Sequence, residues 1–354
     1  MWEDNIRRVV PYTPGEQPGR RVIKLNTNEC PYPPSEKVIR ALKEADYESL
    51  RLYPDPLCLK LRERIADYYG IGPENTFVGV GSDDVLSMCF LAFFAGKLPV
   101  LFPDITYSFY DVWAAVYGIP CKEIPLAEDF SIRLGDYPHE NGGIVICNPN
   151  APTGVVHPLS EIEEFVKKHD ESVIIVDEAY IDFGGESAVR LIGKYENLAV
   201  VRTMSKSRAL AGLRVGYAFG SKKLIGYLND VKFSVNSYTM NLPSLVGAAA
   251  AMEDEEYFQE ILGRIIKTRS RVSEELRSLG FRFRESGSNF VFVTHPEKDA
   301  EEIFEKLRER DIFVRHFNRE RIRNYLRISI GTDEEMVILI KALGEILGKK
   351  GADE

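Results

Sequence analysis

Lys206 sits in the run Thr203-Met204-Ser205-Lys206-Ser207-Arg208, with hydroxyls on both sides and Arg214 eight residues on. An amine of this kind can hold an aldehyde covalently once desolvation and neighbouring cations lower its pKa, a shift that reaches ~3–5 units in a fully buried lysine. If the aldehyde belongs to a cofactor that also carries a phosphate, hydroxyl and guanidinium donors are needed close by. Ser205 and Arg214 are of that type, and the arginine fork can take two phosphate oxygens at once. Asp177 closes the apolar run Val173-Ile174-Ile175-Val176, and Tyr180 follows three residues later. A carboxylate and an amine that end neighbouring strands can face each other across a planar ring. Gly81-Ser82-Asp83 lies between a strand-like segment and an apolar helical one, where backbone amides and the helix N-terminus make a cup for an anion. Taken singly, these features also read as a solvated loop, a strand-end cap and a tight turn. Their order along one chain is what joins them.

The elements that must position these residues alternate. Strand-like runs at Thr76–Val80, Val100–Phe102, Gly143–Cys147, Val173–Asp177 and Leu198–Arg202 are separated by helical stretches at Val85–Phe94, Tyr107–Tyr117 and Leu159–His169, the last with Ser160 as its expected cap. This alternation predicts an α/β architecture of three layers, α/β/α, with a mostly parallel sheet covered on both faces. Open sheets of that kind bind ligands at the C-terminal ends of their strands. Before this region come a Pro- and Gly-rich arm with one short strand, Val22–Leu25, a helix capped by Ser35, and a helix opened by Pro56 and stopped at Gly70. After it come a long helix over 254–279 and a different pattern: strands at 281–284, 289–293, 312–315 and 326–330 with helices at 299–310 and 334–347. The expected organisation is an N-terminal arm over 1–34, a large cofactor-binding domain over 35–253 and a small C-terminal α+β domain over 254–354. The arm is expected to pack on the small domain and the partner subunit, and the tail from Gly348 onward is expected to fray.

The 354 residues suffice for two domains. A formal net charge of -9, from 54 acidic and 45 basic residues, argues against a nucleic-acid partner. Five scattered cysteines without a C-x-x-C pair suit a reducing, cytoplasmic setting. Five dispersed histidines without H-E-x-x-H give a metal no site. The run Val85–Phe102 is interrupted by Lys97 and Pro99, so no membrane span is expected, and Met1–Pro11 lacks the apolar stretch of a signal peptide.

Asp177-Glu178-Ala179-Tyr180, Ser205-Lys206 and Gly212-Leu213-Arg214-Val215-Gly216-Tyr217 together resemble the fold-type I pyridoxal-phosphate aminotransferases. Pro11-Tyr12-Thr13-Pro14-Gly15, Leu25-Asn26-Thr27-Asn28-Glu29, Tyr53-Pro54-Asp55, Asn150-Ala151-Pro152-Thr153-Gly154 and Leu326-Arg327-Ile328-Ser329-Ile330-Gly331-Thr332 appear in the same order as in that family, so the likeness covers nearly the whole chain. Within it, the set is most similar to the enzymes that act on histidinol phosphate in histidine biosynthesis. The resemblance implies pyridoxal 5'-phosphate as cofactor, held covalently by Lys206, with Asp177 on its ring nitrogen, Tyr180 on its ring oxygen and Tyr107 stacked on the ring. It implies that Gly81, Ser82, Asp83, Ser205 and Arg214 surround the phosphate, and that Tyr53 reaches the phosphate of a neighbouring subunit in a homodimer with shared active sites. Tyr12, Arg315 and Arg327 match positions that meet the anionic end of the substrate, with 2-oxoglutarate as amino acceptor. One position departs: the family usually has Asn before Pro-Thr-Gly, donating to the ring oxygen, and here Ala151 stands there. Three other readings stay open on these residues: an aminotransferase of aromatic or broad specificity, a threonine-phosphate decarboxylase, and a non-catalytic cofactor-binding regulatory module.

Overall fold

The computed structural model describes residues 1–348; the rest of the tail expected to fray lies outside them. The arm contributes a short 3-10 helix at Trp2–Asn5 and strand β1 (Ile23–Lys24). Helix α1 (Glu36–Lys43) begins at Ser35, whose hydroxyl accepts the Val38 N–H. Helix α2 (Leu59–Tyr69) ends at Gly70 with φ 67, the left-handed stop that glycine adopts without penalty. It starts three residues later than Pro56 suggests. The Asp55 carboxylate accepts the N–H groups of Leu57 and Leu59, and Cys58 turns left-handed at φ 54 to begin the helix.

The alternating region follows as β2 (Thr76–Gly79), α3 (Gly81–Phe93), β3 (Val100–Pro103), α4 (Tyr110–Tyr117), β4 (Cys121–Ile124), β5 (Gly143–Cys147), α5 (Leu159–Lys168), β6 (Ile174–Asp177), β7 (Leu198–Thr203) and β8 (Gly216–Gly220). These strands form one sheet in the order β2-β8-β7-β6-β5-β3-β4, parallel from β7 through β4, with β8 antiparallel to both its neighbours. The alternation of side chains sorts them into two cores. Leu101, Ile144, Ile146, Ile174, Val176, Leu198 and Val200 enter one, while Val100, Phe102, Val145, Ile175, Ala199 and Val201 enter the other. Both faces are therefore covered, which is why the central strands read as unbroken apolar runs. Pro158, not Ser160, occupies the cap position of α5.

Four elements are not anticipated by the sequence pattern. Edge strand β4 exposes Cys121, Lys122 and Glu123, so it carries no apolar run. Strand β8 and helices α6 (Lys222–Val235) and α7 (Leu242–Met252) complete the covered region. The long α8 (Glu255–Ser278) leads into β9 (Phe290–Val293), α9 (Ala300–Arg308), β10 (Ile312–Phe313), β11 (Arg315–His316), β12 (Leu326–Ser329) and α10 (Asp333–Ile346). A separate antiparallel sheet runs β11-β12-β9, and β10 pairs instead with β1 of the arm, Ile23 opposite Ile312. The strand expected at 312–315 is thus two pieces in two sheets. The strand expected at 281–284 is only an isolated bridge between Arg282 and Thr294. Among the described residues no helix is long and apolar enough to cross a membrane.

Candidate active site

Strands β5 and β6 stop in register, Cys147 beside Asp177, and β7 passes Asp177 at Val201 to end two residues later at Thr203, so their C-terminal ends share one rim of the sheet. A cavity of about 340 Å³ opens there. Ser82, Asp83, Tyr107, Asp177, Tyr180, Ser205, Lys206 and Arg214, all expected from the sequence, line it together with Thr27, Glu29, Cys147 and Ala151.

Asp177 is buried at the end of β6. Its Oδ1 accepts the Ala179 N–H at 3.1 Å and its Oδ2 accepts the Tyr110 hydroxyl at 2.7 Å. Burial pushes its carboxyl up to about 6, against those two hydrogen bonds. Among the described residues no cation pairs with it. Lys206 Nζ points across the cavity to the Thr27 carbonyl at 3.0 Å and lies 5.8 Å from the centre of the Tyr180 ring. Desolvation, reinforced by the nearby Arg327 and Arg214, brings its amine down to about 8. The Tyr180 hydroxyl accepts from Asn28 Nδ2 at 3.0 Å, and burial raises it to about 12.

The anion cup is built from backbone. Helix α3 starts at Gly81, whose φ of 83 suits glycine, and a Cβ there would lie 2.5 Å from Arg214 Nη2. A Cβ on Gly216 would collide with the backbone of Gly81 and Ser82 at 2.2–2.3 Å, so β8 and the cup pack directly together. The first helical turn has N–H groups without partners inside the helix, and its Ser82 and Asp83 line the cavity. Arg214, itself left-handed at φ 53, reaches Ser205 Oγ at 3.4 Å and Asp83 Oδ2 at 3.3 Å. Asp83 also accepts the Tyr107 hydroxyl at 2.7 Å. The Asp83 carboxylate therefore orients a ring and a guanidinium, and only its backbone can face an anion.

The remaining candidates lie outside this cavity. Tyr12 stacks on Phe109 at 4.2 Å between ring centres and lines an adjoining cavity of about 720 Å³ with Arg315. Arg315 on β11 stands directly opposite Arg327 on β12. Arg315 Nη2 donates to the Thr13 carbonyl and Arg327 Nη2 to the Asn26 carbonyl, while Arg327 Nε is buried without a partner. Among the described residues no carboxylate pairs with either guanidinium. Tyr53 is 81% exposed, stacks on Tyr238 and enters neither cavity of its own chain.

Two residues at the site escape sequence reasoning. Tyr110 has one signal, its place three residues after Tyr107 in the stretch expected to be helical; α4 begins only at Tyr110, and the two rings meet edge to face at 5.8 Å. Asn28 has none beyond membership of a motif, because its partners come from the far end of the chain. Ala151 lines the cavity as expected, and the neighbouring Asn150 does not replace it: its amide is spent on the Ile105 carbonyl, Thr106 and Thr153.

The donor set fits pyridoxal phosphate. A buried carboxylate without a cation suits a protonated ring nitrogen, and an amine brought down to about 8 suits an aldehyde. A helix N-terminus beside a half-exposed arginine suits a phosphate.

The pattern of the family described as Aminotransferase class I and II matches residues 20–343. A histidinol-phosphate aminotransferase of Clostridium acetobutylicum is 53% identical over 95% of this chain and 96% of its own. One from Marinomonas sp. is 53% identical over 97% of this chain and 98% of its own. Among solved structures, histidinol-phosphate aminotransferase from Sinorhizobium meliloti in complex with pyridoxal-5'-phosphate superposes with a TM-score of 0.85 at 26% identity, covering 93% of this chain and 92% of that one.

Proposed function

The chain belongs to the class I and II aminotransferases and works with pyridoxal phosphate, and on that premise we propose that it transfers the amino group of L-histidinol phosphate to 2-oxoglutarate, giving imidazole acetol phosphate and L-glutamate. The observation that carries the substrate reading is the pair Arg315 and Arg327, opposed across β11 and β12 and unmatched by any carboxylate among the described residues. Two partly covered guanidiniums without counter-charge are stabilised by a doubly charged anion, which both a phosphate monoester and a dicarboxylate provide. The two near-full-length relatives bearing that name support the same substrate.

When bound, the cofactor supplies an electron sink for the carbon that loses its proton. Lys206 Nζ would hold the cofactor aldehyde, and its free amine, brought down to about 8, would be suited to take the proton from the donor's α-carbon. Asp177 holds the proton on the ring nitrogen, and the hydrogen bonds from Tyr110 and Ala179 keep its carboxylate charged enough to do so. Tyr180 donates to the ring oxygen in place of the absent Asn at 151. Tyr107, tied to Asp83, stacks on the ring. The first turn of α3, Ser205 and Arg214 bind the phosphate. Tyr12, Arg315 and Arg327 bind the substrate's anionic end.

The exposed Tyr53 completes the phosphate site of a neighbouring subunit, making the working unit a cytoplasmic homodimer with shared active sites. The arm 1–34, the cofactor-binding part 35–253 and the part 254–354 act as its three structural units, with β1 on β10 joining arm to C-terminal part.

A panel of amino donors, each scored by the absorbance change of the bound cofactor in a single half-reaction, tests this reading. L-Histidinol phosphate should react fastest and yield a keto product without carbon dioxide. Equal rates with aromatic amino acids would indicate broad specificity. Carbon dioxide from threonine phosphate would indicate a lyase, and no turnover with any donor a binding module.

A further inference from the structure

Asn28 lies in the arm, 1% exposed and left-handed at φ 55. It is held on three sides by the C-terminal part of the chain and by the site. Its N–H donates to Ser329 Oγ at 2.9 Å, its Oδ1 accepts the Ser329 hydroxyl at 2.8 Å, and its carbonyl accepts Asn289 Nδ2 at 3.0 Å. The same stretch is anchored by Leu25, whose carbonyl accepts the Ser329 N–H, and by Asn26, whose carbonyl accepts Arg327.

This arrangement decides which end of the Asn28 amide faces Tyr180. The Ser329 hydroxyl has a single proton and already accepts from the Asn28 N–H. If its proton goes to Oδ1, every buried polar atom of the pair is matched, and Nδ2 is left facing Tyr180. The flipped amide would leave the Ser329 proton buried with no acceptor, a cost folded proteins avoid. The Tyr180 oxygen therefore accepts a hydrogen bond from Asn28 and cannot donate its own proton back along that line. The hydroxyl proton is left to point into the cavity, on whose wall Ala151 offers only a methyl.

We propose that Asn28 is a positioning residue for Tyr180. Its amide, oriented by Ser329, aims the Tyr180 proton at the ring oxygen of the cofactor and so compensates for the donor that Ala151 lacks. The inference rests on the reading of Tyr180 as the donor to that oxygen. It also makes an arm segment and strand β12, rather than the cofactor-binding sheet alone, responsible for the electronics of the ring.

The readout is the pH midpoint of the absorbance change of the Lys206-linked cofactor in the holoenzyme. A donor to the ring oxygen stabilises the form that has lost its proton, so it lowers the midpoint. Other groups facing Tyr180 also titrate or carry charge, namely Asp177, Cys147, Tyr107, Arg327 and Lys206. A double-mutant cycle removes their common contribution. Asn28→Asp keeps the shape and replaces the donor by an acceptor for the Tyr180 proton. Both Asn28→Asp and Tyr180→Phe should raise the midpoint by roughly one unit, the size of one charge-assisted hydrogen bond. In the Tyr180→Phe background, Asn28→Asp should add less than about a third of its single-variant shift. Equal shifts in the two backgrounds would overturn the inference while leaving the role of Tyr180 intact. An unmoved midpoint in Tyr180→Phe alone would remove that role, and this inference with it. Should Asn28→Asp fail to fold, Ser329→Ala takes its place. It removes only the hydroxyl that orients the amide, and it should raise the midpoint by a smaller amount, an effect absent from Tyr180→Phe. A Ser329→Ala midpoint equal to that of the parent protein would also overturn the inference.

Discussion

The Tyr110 hydroxyl donates a hydrogen bond to Asp177 Oδ2 across 2.7 Å, and both side chains are buried. The tyrosine stands on the first turn of α4 and the aspartate at the end of β6, 67 residues apart. The bond opposes the effect of burial, which drives the carboxyl up to about 6.

Replacing Tyr110 by Phe removes one oxygen from a packed aromatic cluster and leaves the ring in place. The Asp177 carboxyl then moves up further, and near neutral pH it is protonated more often. Losing a hydrogen bond to a charged group costs ~1.5–3 kcal/mol, roughly ten- to a hundredfold. On the role proposed for Asp177, kcat should fall by that factor while KM for the amino donor changes little. Parallel assays of kcat, KM and cofactor dissociation check this; a rise in KM alone would place Tyr110 in substrate binding instead.

Lys206 should capture cofactor in a pH-dependent way. Only the neutral amine attacks an aldehyde, so the rate at which apoprotein binds pyridoxal phosphate covalently should rise with pH and level off above about 8. The unfolded chain keeps that proton up to its ordinary value of 10.5. This group alone should therefore make the apoprotein more stable as pH rises from about 8 to 10.5, because the unfolded state then binds more protons. Arg327→Ala removes one of the cations that holds the amine down, so the capture midpoint should move upward. Stopped-flow absorbance over a pH series measures both.

Arg327→Ala should also raise KM for the phosphorylated donor by roughly ten- to a hundredfold, from the loss of a charge-assisted hydrogen bond worth ~1.5–3 kcal/mol. Cofactor affinity, measured by equilibrium dialysis at a pH above the capture midpoint of both proteins, should be nearly unchanged, since Arg327 does not line the cofactor cavity. Equal losses of donor and cofactor would instead assign Arg327 to holding the arm through the Asn26 carbonyl.

Subunits that share sites should complement one another. Tyr53→Ala impairs the element a subunit lends to its neighbour, and Lys206→Ala impairs the element it keeps. Mixing the two inactive proteins under conditions of subunit exchange should return part of the activity, from sites that draw Lys206 and Tyr53 from different parents. Exchange shown by mass spectrometry with no return of activity would rule out the shared site.

What the sequence determined by itself are features set by short-range chemistry. Strands buried on both faces must be apolar throughout, so Val173–Val176 and Leu198–Val201 announce themselves, and the polar residues that end them, Asp177 and then Lys206, fall on the binding rim of the sheet. The Gly81-Ser82-Asp83 turn is legible for the same reason, since a helix start carries its own unpaired amides. The ordered motifs extend this to Tyr107, Tyr180, Arg214, Arg315 and Arg327. Strand β4 and helix α7 were not legible, because an exposed edge and a helix apolar nearly all round lack the periodicity that sequence reading relies on. The pairing of particular side chains belongs to tertiary structure alone. Arg315 faces Arg327 only through the register of β11 on β12, and Asn28 meets Tyr180, 152 residues away, only because β1 lies on β10 and Ser329 fixes its amide. Such contacts depend on where separate elements are brought to rest within a few ångströms, and no local pattern of residues encodes that distance.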